Sequence, residues 1–294
     1  MNTVASGVNL EEAAAAAPAP VSSDSPLLVM TANIRRRLEC WSWRRSDRWY
    51  LRRARLRVQL RTALPHVLGV QEALPSQARW VHESLGERYR FVGHGRNADG
   101  SGEGCPVFYD ASRLELLDWR QTALSDTPNR AGSRSWGNLF PRIAVTARFR
   151  DRRTRAEFRI INTHLDPLSA HSRLRSLEHL RDTITAESGS AILTGDFNTG
   201  PGSPALTALL DDGALRDAWR SARERRTPEY ATYANYRAPR PGRRLDWIVA
   251  TPDIGVDRVE ILAEPVLGGW PSDHLPVLAQ MRVPTQQPRG TATA

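Results

Sequence analysis

The sequence predicts a single α+β, or layered, domain that contains two β-sheets. Short apolar runs typical of strands alternate with helical patterns, and the helices occur early, in the middle and late in the chain. Several strand-like runs follow one another across polar turns, which indicates antiparallel hairpins. The chain has 294 residues, with no long linker and no internal repeat between its ends. These three observations favour one large mixed domain over a chain of small ones.

The elements of the first half follow from the hydrophobic period and from the residues that end each run. Apolar residues three or four positions apart, up to Leu64, predict one face of a helix that Pro65 ends. A second, shorter helix ends at Gly86. In chain order we predict strand Leu27–Ile34, the helix ending at Leu64, strand Val67–Gln71, helix Arg79–Leu85 and strand Tyr89–Val92.

The second half is richer in strands. Leu174, Leu177, Leu180 and Ile184 form the apolar face of a third helix. A fourth helix is predicted to begin with Ser203 as N-cap and Pro204 at the first helical position, where proline has no backbone N–H that would lack a partner. The predicted strands are Pro106–Tyr109, Arg113–Leu117, Ile143–Phe149, Phe158–His164, Ala191–Thr194, Leu245–Ala250 and Leu275–Val283.

Composition at the two chain ends sets the expected domain boundaries. Residues 1–26 are rich in Ala, Pro and Ser and lack the basic and leucine-rich regions of a secretion signal, so we expect a disordered tail. We expect the folded domain at residues 27–284 and a second tail at residues 285–294. No apolar run approaches the roughly 20 residues of a membrane span. The expected location is therefore cytoplasmic, with no membrane span; the oligomeric state is not predicted.

The amino-acid composition excludes several classes of protein. Hydrophobic residues make up 40% and charged residues 25% of the chain, as in an ordinary soluble globule, which excludes wholesale disorder and collagen. The two cysteines, Cys40 and Cys105, are too few for a zinc cluster or a disulfide framework.

The net charge of +9 is the balance of 41 basic residues, all of which are arginines, and 32 acidic residues. Arginine is the side chain best suited to bidentate contacts with phosphate. The excess is compatible with plain solubility or with attraction of anionic substrates such as nucleic acid, phosphorylated metabolites or lipid headgroups. Charge alone leaves both interpretations open.

Polar side chains follow the apolar strands at several places. A polar group beside a buried strand is costly unless it is paired or coordinates an ion, and strand ends are rigid positions for a site. In chain order these side chains are Asn33, Glu72, His164, Asp166, Asp196, Asn198, Asp246, Asp273 and His274. Each one alone has a plain structural explanation, but the full set points to a functional site.

The chemistry of this set points to phosphate esters. Most members offer oxygen ligands, two are histidines and none is a thiolate, which favours Mg²⁺ or Mn²⁺ over zinc or copper. A divalent ion can neutralise a phosphoryl oxygen while a carboxylate activates water and imidazoles stabilise the developing charge. The residues therefore indicate metal-dependent hydrolysis of an anionic phosphate ester.

Seven motifs between about Leu27 and Val283 carry a resemblance to a known family. In order they are TANI, GVQEA, EGCPVFY, NTHLD, LTGDFNTGPGS, RRLDWIVA and PSDHLPV. The set resembles the endonuclease/exonuclease/phosphatase superfamily, which includes pancreatic deoxyribonuclease, apurinic endonucleases, neutral sphingomyelinase, inositol-polyphosphate 5-phosphatases and the deadenylases. The resemblance implies a four-layer fold, a two-sheet β-sandwich flanked by helices.

The resemblance also implies roles for individual residues. Glu72 is expected to be the principal metal ligand, with Asn33 and Asp273 beside the metal. Asp196 is expected to orient or deprotonate the attacking water, and Asn198 to donate to a phosphate oxygen. The apurinic endonucleases carry an acidic residue two positions after the first Asn, where this chain has an arginine. A single metal ion is therefore favoured.

Two histidines are expected to face the phosphate. Glu103 would support His164 and Asp246 would support His274, so that each carboxylate orients its imidazole and favours the charged form. These pairs complete the predicted catalytic set.

The branch of the family that the chain resembles narrows the range of expected substrates. EGCPVFY followed by RLELLD resembles the deadenylase-like group and a set of small bacterial relatives. We therefore expect a small phosphorylated metabolite or a single-stranded nucleic-acid end as substrate. The alternatives are an endonuclease on DNA or RNA, and a catalytically inactive binding module on the same fold. The segment Ser125–Phe140 is long for a hairpin and is expected to form a wall of the substrate site.

Overall fold

The computed structural model describes residues 25–38 and 44–285. Most of the two predicted tails and Cys40 therefore lie outside the described residues, and the domain boundaries at 26 and 284 remain predictions. Among the described helices, none combines the length and apolar character that crossing a membrane requires.

The described residues form thirteen strands and five α-helices, numbered in chain order. The strands are β1 Leu27–Asn33, β2 Val67–Gln71, β3 Tyr89–Val92, β4 Val107–Asp110, β5 Leu114–Ala123, β6 Ile143–Asp151, β7 Glu157–His164, β8 Ser190–Asp196, β9 Arg216–Asp217, β10 Glu224–Arg225, β11 Asp246–Ala250, β12 Gly255–Ile261 and β13 Val277–Arg282. The helices are α1 Trp49–Ala63, α2 Pro75–Leu85, α3 Ala170–Thr185, α4 Pro204–Leu210 and α5 Ala218–Ser221, and a single 3₁₀ turn spans Arg45–Asp47.

The strands form two mixed sheets. The first sheet has seven strands in the order β10-β12-β13-β1-β2-β4-β3, and the second has six in the order β5-β6-β7-β8-β11-β9. Each sheet contains a central parallel pair, β1 with β2 and β7 with β8. The carboxyl ends of both parallel pairs carry the polar residues that the sequence singles out.

Three buried cores separate four layers. Between the sheets lies a core that includes Val29, Phe149 and Met281, whereas Met30, the next residue of β1, faces outward onto α1 and α2. This alternation is the period of two that a strand between two layers requires. On the other side, α3 and α4 cover the second sheet through residues such as Leu177. The predicted four-layer α+β sandwich is therefore confirmed.

Two differences from the sequence prediction have the same physical origin. The strand β12 was not predicted because a register shift between Val256 and Arg258 breaks its alternation of apolar residues. The strand β5 extends to Ala123, beyond the predicted Leu117, because a register shift between Leu116 and Asp118 breaks its alternation at that point. Ser203 is the N-cap of α4, as predicted, and accepts a hydrogen bond from the Leu206 amide.

A buried polar network joins the two sheets beneath the strand ends. The Gln71 Nε2 atom donates to Asn162 Oδ1 at 2.7 Å, and Asn162 Nδ2 donates to the Val70 carbonyl at 2.8 Å. Thr194 Oγ1 donates to the same Asn162 oxygen at 3.1 Å. A buried network of this kind fixes the relative position of its strands. Gly69 lies against this network. A Cβ at position 69 would be 2.6 Å from Asn162 Oδ1 and from Thr194 Oγ1, so the position has no room for a side chain.

We expect Gly69→Ala to lower the free energy of unfolding by about 2 kcal/mol, because the added methyl must displace buried polar atoms. Urea denaturation followed by tryptophan fluorescence measures the effect. Gly255→Ala is the matched control, since the nearest atom to its Cβ would be Arg282 Cβ at 3.8 Å. Equal stability of the two variants would contradict the assigned role of the network.

Candidate active site

The predicted site residues converge on one cleft at the carboxyl ends of the central strands. The cleft has a volume of about 440 Å³. Asn33 and Asp246 lie buried beneath it, at 1% and 0% exposure. The cleft is lined by the other seven predicted residues: Glu72, Glu103, His164, Asp196, Asn198, Asp273 and His274.

Asp196 lies at the centre of the site. Its Oδ2 atom accepts a hydrogen bond from Asn33 Nδ2 at 3.0 Å and is 3.6 Å from the Nε2 atoms of both His164 and His274. Its Oδ1 atom accepts from the backbone amide of Asn198 at 2.9 Å. Burial raises the pKa of Asp196, and the Asp246 carboxylate adds to the rise. A carboxylate with a raised pKa is a stronger base near neutral pH.

His274 and Asp246 form a buried pair. His274 Nδ1 is 2.8 Å from Asp246 Oδ2, which directs the Nε2 atom toward Asp196. Burial alone would lower the pKa of His274, but the carboxylates of Asp246 and Asp196 raise it well above its usual value. The imidazole is therefore held in its charged form, as the sequence predicts.

His164 has a different environment, which corrects the predicted support by Glu103. The Glu103 carboxylate binds two arginines instead, Arg96 at 3.0 Å and Arg36 at 3.2 Å, and makes no hydrogen bond to His164. Guanidinium groups outcompete an imidazole for a carboxylate because they are always charged. Burial and the nearby Arg142 lower the pKa of His164, so the structure favours its neutral form.

Glu72 is held ionised at the end of β2. Burial alone would raise its pKa, but His164, the Arg36 amide, Arg35 and Asn33 together lower it to about 2. Its Oε2 atom accepts from the Arg36 amide at 3.0 Å. A carboxylate that stays charged at all working pH values is a suitable ligand for a hard cation.

Asn33 and Asn198 hold their neighbours through hydrogen bonds. Asn33 Nδ2 donates to Glu72 and Asp196, while its Oδ1 accepts the Arg35 amide at 2.9 Å, so its donor faces both carboxylates. Asn198 adopts a left-handed backbone (φ 50°) and its Nδ2 donates to the Leu165 carbonyl at 2.9 Å. The side-chain amide of Asn33 and the backbone amide of Asn198 therefore position acidic groups in this arrangement.

Two groups of side chains in the site could hold a divalent cation. Asp273 lines the cleft near Glu72, and burial raises its pKa. Asp196, Asp246 and His274 form a second group, whose ligand-type atoms all lie within 4.8 Å of one another. Oxygen donors dominate both groups, which fits the hard-ion chemistry expected from the sequence.

A single buried arginine holds the loops that carry these residues. Arg52 on α1 is fully buried and donates to five backbone carbonyls on three segments of the chain. The acceptors are the carbonyls of Ile34, Arg35, Arg36, Asp47 and Pro271, at 2.8 to 3.1 Å. The loop after β1 and the segment that precedes His274 are therefore tied to one side chain.

The sequence did not single out the side chains that form the rim of the cleft. Arg36, Arg96 and Arg142 line it with Leu139, Phe140, Leu168 and Tyr233. The four apolar members are 48 to 75% exposed. Leu139 and Phe140 belong to the end of the predicted wall Ser125–Phe140, whose length was the available signal. The other residues of the rim gave no signal in the sequence, because exposed side chains around a charged cleft follow no periodic pattern.

The family model described as the Endonuclease/Exonuclease/phosphatase family matches residues 30–274. The chain belongs to this family. The family's description covers endonucleases, exonucleases and phosphatases, which all hydrolyse phosphate esters, and the resemblance inferred from the seven motifs is confirmed.

Similar proteins occur among bacteria and animals. A mannosyl-6-phosphatase of Bacteroides thetaiotaomicron is 26% identical, with 87% of this chain and 99% of that chain covered and a TM-score of 0.81. A family protein from Bacteroides vulgatus is 28% identical, with coverages of 88% and 99% and a TM-score of 0.80. Protein angel of Drosophila melanogaster is 27% identical over 173 residues, 55% of this chain and 47% of that protein. The chain thus spans about half the length of this curated relative.

We expect Arg52→Met to lower the free energy of unfolding by about 3 kcal/mol, because several buried carbonyls lose a charged donor. Turnover should fall as well, since the loops carrying Glu72's partners and His274 lose their common anchor. Arg53→Met, an exposed neighbour on the same helix, is the control. Urea denaturation and phosphate release measure both effects. An Arg52 variant as stable and active as the Arg53 variant would contradict this assignment.

We expect Asp246→Asn to lower the pKa of His274, because the carboxylate is the main group that raises it. Since the wild-type pKa is raised, the imidazole loses its proton only above neutral pH. In the variant that loss should move to lower pH, and turnover should fall first on the basic side. Imidazole NMR titration and a pH–rate profile measure the shift. Asp118→Asn, exposed on β5, is the control; an unshifted His274 titration would refute the pairing.

Proposed function

We propose that the protein is a divalent-metal-dependent phosphatase that hydrolyses a small phosphorylated metabolite by in-line attack of water. The observation that carries this proposal is the size and lining of the cleft. A volume of about 440 Å³ suits one phosphate group with a compact leaving group. The similarity to a mannosyl-6-phosphatase over nearly the whole of that chain supports the same substrate class.

The residues present fit a Mg²⁺ or Mn²⁺ ion. Glu72, whose pKa of about 2 keeps it charged, would be the principal ligand, with Asp273 beside it. Asn33 would orient Glu72 through the 3.1 Å hydrogen bond from its Nδ2 atom. Such an ion, when bound, neutralises charge on a phosphoryl oxygen.

The protein's own residues supply the proton chemistry. Asp196, with its raised pKa, accepts the proton of the attacking water. The charged His274 lies 3.6 Å from Asp196 and donates to a phosphate oxygen, while neutral His164 orients the phosphate from the other side. Asn198 fixes the Asp196 carboxylate through its backbone amide. The arginines of the rim attract the anionic substrate.

A second candidate substrate is a single-stranded nucleic-acid end. The observation that favours it is the exposed apolar rim, because Phe140 and Tyr233 are 55% and 48% exposed beside the catalytic groups. Aromatic rings in such positions can stack bases. Cleavage of duplex DNA is not expected, and an inactive binding module is disfavoured because the cleft retains the water activator, the acidic groups and both histidines.

A substrate panel with Asp196→Asn tests the proposed function. We expect metal-dependent phosphate release from sugar phosphates, mononucleotides or inositol phosphates, lost on addition of EDTA while the fold survives. Asp196→Asn should lower kcat by at least about 100-fold with little change in fold. Asp182→Asn, whose side chain is 67% exposed and outside the cleft, is the control. Full activity after exhaustive chelation would overturn the proposal.

Salt dependence separates the two substrate classes in the same assay. A strand that contacts several phosphates should lose affinity steeply with salt, with a slope of about −0.7 per phosphate contacted. A single phosphate in a pocket should show a shallow slope. A steep slope, or nicking of supercoiled plasmid that Asp196→Asn abolishes, would assign the protein to the nucleases.

A further inference from the structure

Arg35 lies among three carboxylates at the edge of the cleft. Its Nε atom is 3.5 Å from Asp47 Oδ1 and 3.6 Å from Asp273 Oδ2, and its Nη1 atom is 3.8 Å from Glu72 Oε2. Two of these carboxylates are those that we assign to the metal. The guanidinium therefore provides a permanent positive charge at the acidic side of the site.

The donors of this guanidinium are not used within the described residues. Arg35 forms no hydrogen bond with any of the three carboxylates, which lie 3.5 to 3.8 Å away, and its buried Nε atom has no hydrogen-bond partner. Arg36 and Arg96 bind Glu103, and Arg142 donates to Asp166 at 3.2 and 3.3 Å. Among the arginines that line the cleft, Arg35 thus combines a fixed charge with unused donors.

The backbone holds Arg35 in this position. Its amide donates to Asn33 Oδ1 at 2.9 Å, and its carbonyl accepts from Arg52 Nη2 and Gln77 Nε2, both at 3.1 Å. The residue adopts a left-handed conformation with φ of 55°, which directs a side chain that is 31% exposed along the cleft. A site that fixes a charged fork in advance loses little conformational entropy when a ligand binds.

The carboxylates around Arg35 would repel an anionic substrate if no fixed cation lay among them. A phosphate ester that enters a cleft lined by Glu72 and Asp273 meets like charges, which a fixed cation offsets. Burial would lower the pKa of Arg35, but Asp273, Glu72 and Asp47 raise it, so the charge persists at any working pH. Unused guanidinium donors are also the groups that bind phosphate oxygens in a bidentate manner.

We propose that Arg35 binds the substrate phosphate and is the built-in counter-ion of Glu72 and Asp273, where it replaces a second metal ion. The inference rests on the proposed function for the location of the phosphate and of the metal. It adds a phosphate-binding residue and a reason for the binding of one divalent ion.

Arg35→Gln tests the two roles because it should change the affinities for phosphate and for Mn²⁺ in opposite directions. In EDTA, calorimetric binding of inorganic phosphate should weaken by about 10- to 100-fold, the loss expected for a charge-assisted hydrogen bond. Mn²⁺ binding, followed by electron paramagnetic resonance, should tighten at least about threefold because the carboxylates lose their resident cation. A variant that has merely lost structure would weaken both.

Arg258→Gln is the matched control, because it removes one positive charge from an exposed arginine that binds Glu224, far from the cleft residues. It should change neither affinity. Arg35→Lys keeps the charge without the fork, so Mn²⁺ affinity should stay near wild type while phosphate binding weakens. This second variant keeps the test decisive if Arg35→Gln does not fold.

Either of two results overturns the proposal. Phosphate affinity equal to that of wild type in both Arg35 variants, or wild-type protein that binds no phosphate, would refute phosphate binding. Mn²⁺ affinity unchanged or weakened in folded Arg35→Gln would refute the counter-ion role. Neither readout requires turnover, so a failure of the proposed function appears separately, as absence of phosphate release in the substrate panel.

Discussion

The arrangement of the catalytic cleft depends on one buried cation that is hydrogen-bonded to backbone carbonyls. Arg52 donates to carbonyls on the loop after β1, on the 3₁₀ turn and on the segment before His274. Irregular backbone of this kind has carbonyls that no sheet or helix satisfies, and leaving them unpaired in the interior is costly. One guanidinium fork satisfies five of them. The packing of α1 against the first sheet therefore also fixes the position of the cleft loops.

The two histidines show how environment divides one chemistry into two roles. His274 has a carboxylate on each side, Asp246 and Asp196, and its pKa rises. His164 shares Asp196, but burial and the nearby Arg142 lower its pKa. The same carboxylate is thus flanked by a charged and a neutral imidazole. In the proposed mechanism, this asymmetry gives the phosphate one proton donor and leaves Asp196 free to act as the base, which two charged imidazoles would oppose.

Residues on regular strands could be predicted from the sequence, and residues placed by loops could not. Asn33, His164 and Asp196 end strands whose apolar pattern is plain, and parallel pairing brings such ends together. Glu103 was assigned to the right cleft but to the wrong partner, because two arginines, Arg36 and Arg96, reach it from loops with no period. The strand β12 was not predicted for a related reason, since its bulge breaks the alternation of apolar residues.

Asn33 shows why an amide occupies the point where these segments meet. Its Nδ2 atom faces the carboxylates of Glu72 and Asp196, its Oδ1 accepts the Arg35 amide, and its backbone carbonyl accepts from Ser272 Oγ at 2.7 Å. A carboxylate there would turn a double donor into a third negative charge between two others. The amide instead holds the proposed water activator, Asp196, and the proposed metal ligand, Glu72, at a fixed separation. The acidic side of the cleft can then stay open to a cation, and Arg35 and the arginines of the rim can meet the phosphate.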